Sequence, residues 1–129
     1  MYSLRQGLKE ILEGDLSFED RLARNREVSN RVKDELEKLG CGFVPLSRDI
    51  AANGMSAVRY PQGVTAADVI PKLAERDIVV AGGLHKDIAS EYFRVGHMGV
   101  TSADPSRGDV DKIINGVKAV LDEAKKNKA

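Results

Sequence analysis

The sequence predicts an α+β domain with a small, mostly antiparallel sheet and helices packed on one of its faces. Two observations predict this class. Residues 1–40 carry helical periodicity throughout, and residues 41–129 alternate short strand patterns with two further helical patterns. Short strands separated by single helices are typical of an antiparallel sheet that is covered on one face. The length of 129 residues allows one such domain and is too short for two.

Two helices are predicted at the start of the chain. Ser17 and Asp20 have the spacing of a capping box, which predicts the beginning of a second, long amphipathic helix that continues to Gly40. The first, shorter helix is predicted to end at Gly14 because a glycine commonly follows the last helical turn. Its apolar residues fall on one stripe at helical spacing, and they are Leu4, Leu8, Ile11 and Leu12.

Four segments after Gly40 have strand patterns. The first two, "CGFVPL" at 41–46 and "MSAVRY" at 55–60, are each closed by proline or glycine. The third is predicted over 78–80, directly before a glycine pair, and the fourth is "YFRVGHMGV" at 92–100. Together they supply the strands of the predicted sheet.

Two helices are predicted among the strands and after them. Thr65 and Asp68 have capping-box spacing for a helix over 66–75, but Pro71 removes a backbone donor inside it and predicts a bend or a later start. The last helix is predicted to open at Pro105 and Ser106. Its apolar stripe consists of Val110, Ile113, Ile114, Val117, Val120 and Leu121.

Composition excludes several classes of function. Twenty basic and 20 acidic residues leave no net field that would attract nucleic acid or an anionic membrane, and no apolar run is long enough to span a bilayer. A soluble intracellular protein is therefore predicted, with its compartment left open. The single cysteine, Cys41, excludes an internal disulfide and is expected to be a small buried hydrophobe. The charged face of the second helix, which includes Arg24 and Lys33, is expected to be solvated.

The glycine pair and the histidines carry weak signals for a site. Gly82 and Gly83 follow a strand and would allow a ligand to approach the backbone, but their spacing matches no phosphate-binding motif, which favours a tight turn. His85 and His97 lack the spacing of metal ligands. No metal site is predicted.

Arg94 is the stronger candidate because it interrupts an alternating strand. Alternation puts Phe93, Val95 and His97 on one face and Arg94 on the other, beside Gly96, which leaves space next to the guanidinium. A guanidinium is always charged and its planar fork suits a carboxylate. Two hypotheses remain open from the pattern alone. Arg94 binds the carboxylate of a ligand, or it pairs with an internal acid such as Asp77 or Glu91.

Three quoted segments resemble a known family. "YFRVGHMG", preceded by "MSAVRYPQGVTAADVIPKLAERDIVVAGGL" and by "YSLRQGLKEILEGDLSFEDRLARNREVSNRVKDELEKLG", resembles the C-terminal small domain of class V, fold type I aminotransferases that depend on pyridoxal 5'-phosphate. The similarity is to the alanine:glyoxylate and serine:pyruvate aminotransferases, and it covers essentially the whole chain. By this resemblance, residues 1–40 are a helical connection from an absent large domain, and residues 41–129 form the small domain.

The resemblance implies a role for Arg94 in transamination. In that family the arginine of the "R-[IV]-G" strand binds the substrate carboxylate, and by position it is Arg94. The implied substrates are alanine or serine and glyoxylate or pyruvate, and the implied assembly is a homodimer. The cofactor lysine belongs to the large domain, so no catalytic, cofactor-binding or metal residue is assigned here, and this chain alone is expected to be inactive. The alternative is a free-standing, non-catalytic binding or dimerisation module of the same shape.

Overall fold

The computed structural model describes residues 2–127, and in this range it contains five α-helices, two 3-10 turns and four short strands. This combination is the predicted α+β class. The helices are α1 (Tyr2–Leu12), α2 (Phe18–Lys38), α3 (Ala66–Ala74), α4 (Val100–Ala103) and α5 (Asp109–Lys126). The strands are β1 (Gly42–Phe43), β2 (Met55–Arg59), β3 (Ala81–Gly82) and β4 (Tyr92–Gly96).

The four strands form one antiparallel sheet in the order β1-β2-β4-β3, which confirms the predicted sheet type. Strand β4 is central, because all five of its residues pair with β2 and two of them also pair with β3. Val58 lies opposite Phe93, and the next pair along, Ala57 and Arg94, points to the other face. The register of β2 and β4 therefore places the apolar Val58 and Phe93 on one face of the sheet and the charged Arg94 on the other.

Helices cover one face of this sheet and form the core with it. Val58, Phe93 and Val95 are buried on that face, with Tyr60 stacked on the Phe93 ring at a centroid distance of 5.3 Å. Helices α2, α3 and α5 complete this core, and α5 packs against both α2 and α3. The helical side chains in the core include Val32, Leu36, Val69, Leu73, Ile114, Val117, Val120 and Leu121.

Local capping explains where α2 and α3 begin. The Ser17 hydroxyl accepts a hydrogen bond from the Asp20 backbone N–H at 3.1 Å. At the start of α3, the Thr65 N–H donates to the Asp68 carboxylate at 2.8 Å, and the capping box is complete. Helix α3 therefore begins at Ala66 and continues through Pro71, so the later start suggested by the proline is not found. The anchored first turn compensates for the one backbone donor that proline lacks.

The predicted third strand is displaced along the chain. Residues 78–80 do not pair with the sheet, and the paired segment is Ala81–Gly82 instead. After the left-handed Asp77 (φ +56°), the Ile78 N–H donates to the Leu73 carbonyl at 2.9 Å, so this segment still closes the end of α3. Its apolar residues alternate between core and solvent without strand pairing: Ile78 is buried, and Val79 is exposed.

The ends of other elements also differ from the prediction. Strands β1 and β4 are shorter than the patterns over 41–46 and 92–100, and one further backbone hydrogen bond follows each of them, from Val44 N–H and from His97 N–H. Pro105 and Ser106 lie in a 3-10 turn, and Gly108 in the left-handed region (φ +68°) separates this turn from α5. The last helix therefore begins at Asp109, although its predicted apolar stripe packs on the core.

Helix α1 contributes no residue to this core. None of its described residues is buried, and Leu4 and Leu12 are 67% and 71% exposed. The predicted apolar stripe is present and exposed, although Ile11 also borders a groove with Phe18 and Leu22 of α2. None of the described helices combines the length and apolar composition that crossing a bilayer requires.

The same substitution at two leucines should separate core from exposed positions. Leu36→Ala in α2 should lower the free energy of unfolding by about 2–5 kcal/mol, since Leu36 is fully buried and truncation leaves a cavity. Leu12→Ala on α1 is the matched control and should change it by no more than about 0.5 kcal/mol. Urea denaturation of this chain measures both. Equal losses would contradict the assignment of α2 to the core.

Candidate substrate-carboxylate site

The sheet face that the helices leave uncovered carries Arg94 at its centre. As predicted from alternation, Phe93, Val95 and His97 are buried on the helical side, whereas Arg94 lies on the opposite face and is only partly buried. Both neighbouring strands flank it, since β4 lies between β2 and β3. Three paired strands therefore position this side chain.

The residues around Arg94 on that face are small. Ala57 and Ala81 lie directly opposite it on the two neighbouring strands. Gly96 is two residues along β4, and a Cβ atom built there would meet no heavy atom within 4 Å. The position beside Arg94 at Gly96 is therefore open.

A backbone carbonyl, and not an acid, orients the guanidinium. Arg94 Nε donates a hydrogen bond to the Gly82 carbonyl at 2.8 Å. No ion pair joins Arg94 to Asp77 or to Glu91, and Glu91 is instead paired with Arg59. The hypothesis of an internal ion pair with either of these acids is therefore wrong. Among residues 2–127, the two Nη atoms of Arg94 make no hydrogen bond, and they keep the charge available for an external anion.

The glycine pair supports this arrangement and does not form the expected tight turn. Gly82 ends β3 and supplies the carbonyl that holds Arg94. Gly83 lies against the Tyr92 ring and the backbone of Ala89, where an added Cβ would come within 2.6 Å of both. Neither glycine adopts a positive φ. Close approach of the backbone therefore requires glycine at Gly83, whereas an added Cβ at Gly82 would meet only the Ile70 side chain at 3.9 Å.

A buried polar cluster behind the sheet was missed by the sequence analysis. Lys33, expected in solvent, is only 2% exposed, and its ammonium donates to the Ser29 hydroxyl and to the Ala52 carbonyl, the latter at 2.9 Å. Burial lowers the pKa of Lys33, and the nearby Arg48 lowers it further. The aliphatic stem follows the apolar stripe of α2 while the loop after β1 closes over the charged end. Helical periodicity alone did not reveal that loop.

His97 belongs to the same region and is fully buried. Its Nε2 atom and the Ser56 hydroxyl share a hydrogen bond of 2.9 Å. Burial lowers its pKa, and the charge of Lys33 adds to this effect, while backbone hydrogen bonding at His97 and Asn53 acts in the opposite direction. A neutral, structural imidazole follows from this environment.

Other candidate groups also take structural or exposed positions. Cys41 is buried as predicted, and burial raises its thiol pKa to about 11, so it is a poor nucleophile near neutral pH. His85 lies in the exposed loop after Gly83. Within residues 2–127, no group of three or more His, Cys, Asp or Glu side chains is arranged to hold a metal ion.

Comparison with known proteins finds similarity to aminotransferases in both sequence and structure. The chain is 36% identical over 126 residues to alanine–glyoxylate aminotransferase 1 of Saccharomyces cerevisiae, covering 95% of this chain and 31% of that protein. The chain is related to the alanine–glyoxylate aminotransferases. The crystal structure of an alanine–glyoxylate aminotransferase from Nostoc superposes on 93% of this chain and 30% of that protein, with a TM-score of 0.79 and 27% identity.

A further solved structure bears on the fold alone. Ureidoglycine–glyoxylate aminotransferase of Bacillus subtilis superposes with a TM-score of 0.81 over 96% of this chain, at 24% identity. No family model matches the chain. The chain spans about 30% of the length of these relatives, and its fold is the small-domain fold of the aminotransferases.

The unfolding free energy should depend on the protonation of His97. Because its folded pKa lies below the unfolded value near 6.5, stability should be complete above about pH 6.5 and decrease as the pH falls below it, where only the unfolded state takes up the proton. His97→Gln should remove this slope, and His85→Gln in the exposed loop should retain it. Chemical denaturation at several pH values between 5 and 8 measures how the unfolding free energy depends on pH. The same dependence in His97→Gln as in wild type would contradict the prediction.

Proposed function

We propose that this chain is the small domain of an aminotransferase and that Arg94 binds the α-carboxylate of its substrate. The observation that carries the proposal is an arginine on the uncovered sheet face whose guanidinium is oriented by a carbonyl and not neutralised by an acid. The relatives named as aminotransferases support the reaction class. The proposed substrates are a small amino acid, alanine or serine, and an oxoacid, glyoxylate or pyruvate.

The geometry favours binding through the end of the guanidinium. Since Nε is engaged by the Gly82 carbonyl, the two Nη atoms remain for the two oxygens of a carboxylate. Ala57, Ala81 and Gly96 leave space for a compact substrate on either side. Arg94 would therefore fix the orientation of the substrate, while the bonds that change lie elsewhere.

Pyridoxal 5'-phosphate fits this proposal as the cofactor of the complete protein. When bound, it supplies the electron sink that transamination requires. The small residues around Arg94 leave the sheet face open toward a neighbouring domain, and this chain contributes the substrate-binding side chain there. The Lys33 ammonium is buried between α2 and the loop after β1, where it donates to Ser29 and to the Ala52 carbonyl, so it does not reach the proposed site. We assign no cofactor-binding residue to this chain.

The exposed stripe of α1 supports the proposed partners. Leu4, Leu8 and Leu12 form an apolar surface that no described residue covers, and the relatives are about three times as long as this chain. We propose that a large domain of the same enzyme contacts α1, and that the complete enzyme is a homodimer.

Substitution of Arg94 tests the proposed contact in the protein that carries this chain. Arg94→Ala should lower kcat/KM by roughly 10- to 100-fold, because a hydrogen-bonded contact to a charged group is lost. Arg94→Lys keeps the charge without the planar fork and should recover only part of the activity. Steady-state kinetics with amino acid and oxoacid substrates measures both variants.

A control and a stability measurement distinguish binding from folding. Arg76→Ala removes an arginine that pairs with Glu123, away from this face, and should leave kcat/KM unchanged. Thermal unfolding of Arg94→Ala should differ little from wild type. Unchanged substrate affinity combined with a large drop in melting temperature would show that Arg94 is structural, and would favour the non-catalytic module.

The 129-residue chain by itself should not retain pyridoxal phosphate at one equivalent. None of its lysines lies in a motif that matches the cofactor lysine of the family, so only slow, scattered reaction at exposed lysines is expected. Borohydride reduction followed by mass spectrometry measures occupancy and position. Retention of one equivalent of pyridoxal phosphate on a single lysine would contradict the proposal that the cofactor lysine lies outside this chain.

A further inference from the structure

Tyr92 occupies an unusual position for a residue on the uncovered face. It is on the same side of β4 as Arg94, yet it is only 6% exposed because the segment between β3 and β4 crosses over it. Its hydroxyl accepts two backbone hydrogen bonds from that segment, from Leu84 N–H at 2.9 Å and from His85 N–H at 3.1 Å. These two donations lower the pKa of Tyr92, as does the adjacent charge of Arg94.

The crossing segment has little else to hold it near Gly82. The Leu84 side chain is 74% exposed, and residues 85–87 also point to solvent. Gly83 packs directly on the Tyr92 ring, so close that an added Cβ would lie 2.6 Å from the ring edge. Ring and hydroxyl of Tyr92 together therefore fix the backbone that immediately follows Gly82.

This backbone is the part of the chain that orients Arg94. The Gly82 carbonyl accepts the Arg94 Nε hydrogen bond at 2.8 Å, and β3 is held to β4 by only two residue pairs. A strand this short offers little resistance to displacement of its end. The position of the Gly82 carbonyl consequently depends on how firmly residues 83–85 are attached.

We propose that Tyr92 is a positioning residue for the carboxylate site. By accepting the Leu84 and His85 N–H groups, it holds the Gly82 carbonyl against Arg94 and keeps the two Nη atoms directed toward the substrate. This inference rests on the proposed function of Arg94 and adds to it a residue that does not touch the substrate. The physical basis is preorganisation: a guanidinium already fixed by a neighbouring carbonyl loses less freedom when it binds.

Two Tyr→Phe variants of the protein that carries this chain isolate the hydroxyl. Tyr92→Phe keeps the ring but leaves two backbone donors without their acceptor. Tyr60→Phe is the matched control, because the buried Tyr60 hydroxyl has no hydrogen-bond partner and its ring also belongs to this sheet region. Hydrogen–deuterium exchange of the peptide containing residues 83–88 should accelerate in Tyr92→Phe and remain unchanged in Tyr60→Phe.

Kinetics then test whether the loosened segment acts through Arg94. Tyr92→Phe should raise KM for glyoxylate roughly 5- to 30-fold and change kcat by less than about threefold, since misplacement of the carboxylate site weakens substrate positioning. In the Arg94→Ala background, the same substitution should raise KM no further, because the group it positions is absent. Gly83→Ala, which displaces the same backbone, should behave like Tyr92→Phe.

The outcomes separate this inference from the proposed function. A lower melting temperature in Tyr92→Phe with unchanged KM, while Arg94→Ala raises KM, would overturn the positioning role alone. Additive effects in the double variant would also overturn it, because Tyr92 would then act independently of Arg94. If neither Arg94→Ala nor Tyr92→Phe changes KM while exchange at residues 83–88 still accelerates, the proposed function of Arg94 is wrong.

Discussion

The antiparallel pairing of β4 between β2 and β3 is the constraint on which the rest of the structure depends. Because strand side chains alternate, this pairing assigns Phe93 and Val95 to the core and Arg94 to the uncovered face with a single register. A slip of one residue would bury the guanidinium and expose the phenyl ring. The apolar core under Phe93 therefore also determines where the charged site lies.

Arg94 illustrates how a protein can orient a charge without neutralising it. An acid at hydrogen-bond distance would fix the side chain but would compete with a substrate carboxylate for the same charge. The Gly82 carbonyl is a neutral acceptor that holds Arg94 Nε. Glu91, the residue just before β4, is paired with Arg59 instead. The positive charge of Arg94 is thus kept for a ligand, and the small neighbours Ala57 and Ala81 keep the approach open.

On the helical side of the sheet, buried polar groups join separate segments of the chain. Lys33 reaches under the apolar stripe of α2 to donate to the Ala52 carbonyl, and His97 shares a hydrogen bond with Ser56 on the neighbouring strand. The first contact attaches the long loop between β1 and β2 to α2, and the second joins β2 to the residue that follows β4. The Lys33 ammonium donates to a hydroxyl and a carbonyl, which compensate in part for its burial, and its pKa falls because burial disfavours the charged form.

The sequence by itself determined the elements whose signals are local. Capping residues and apolar stripes predicted α2, α3 and most of α5, and alternation predicted which side of β4 carries Arg94, because these patterns depend on residues only a few positions apart. The quoted motifs also predicted the family. The predicted start of α5 at Pro105 and Ser106 was too early. The left-handed Gly108 ends the preceding 3-10 turn, and the helix begins at Asp109.

Contacts between distant segments were decided only by the tertiary structure. Three such contacts join residues that are 11 to 19 positions apart: the pairing of β3, the burial of Lys33 against Ala52, and the carbonyl that is the partner of Arg94. Tyr92 is the clearest case, because a tyrosine in a strand pattern predicts a packed ring and reveals nothing about which backbone its hydroxyl will hold. Such partners depend on how the sheet and its loops pack in three dimensions, and local periodicity does not predict that packing because it involves only residues a few positions apart.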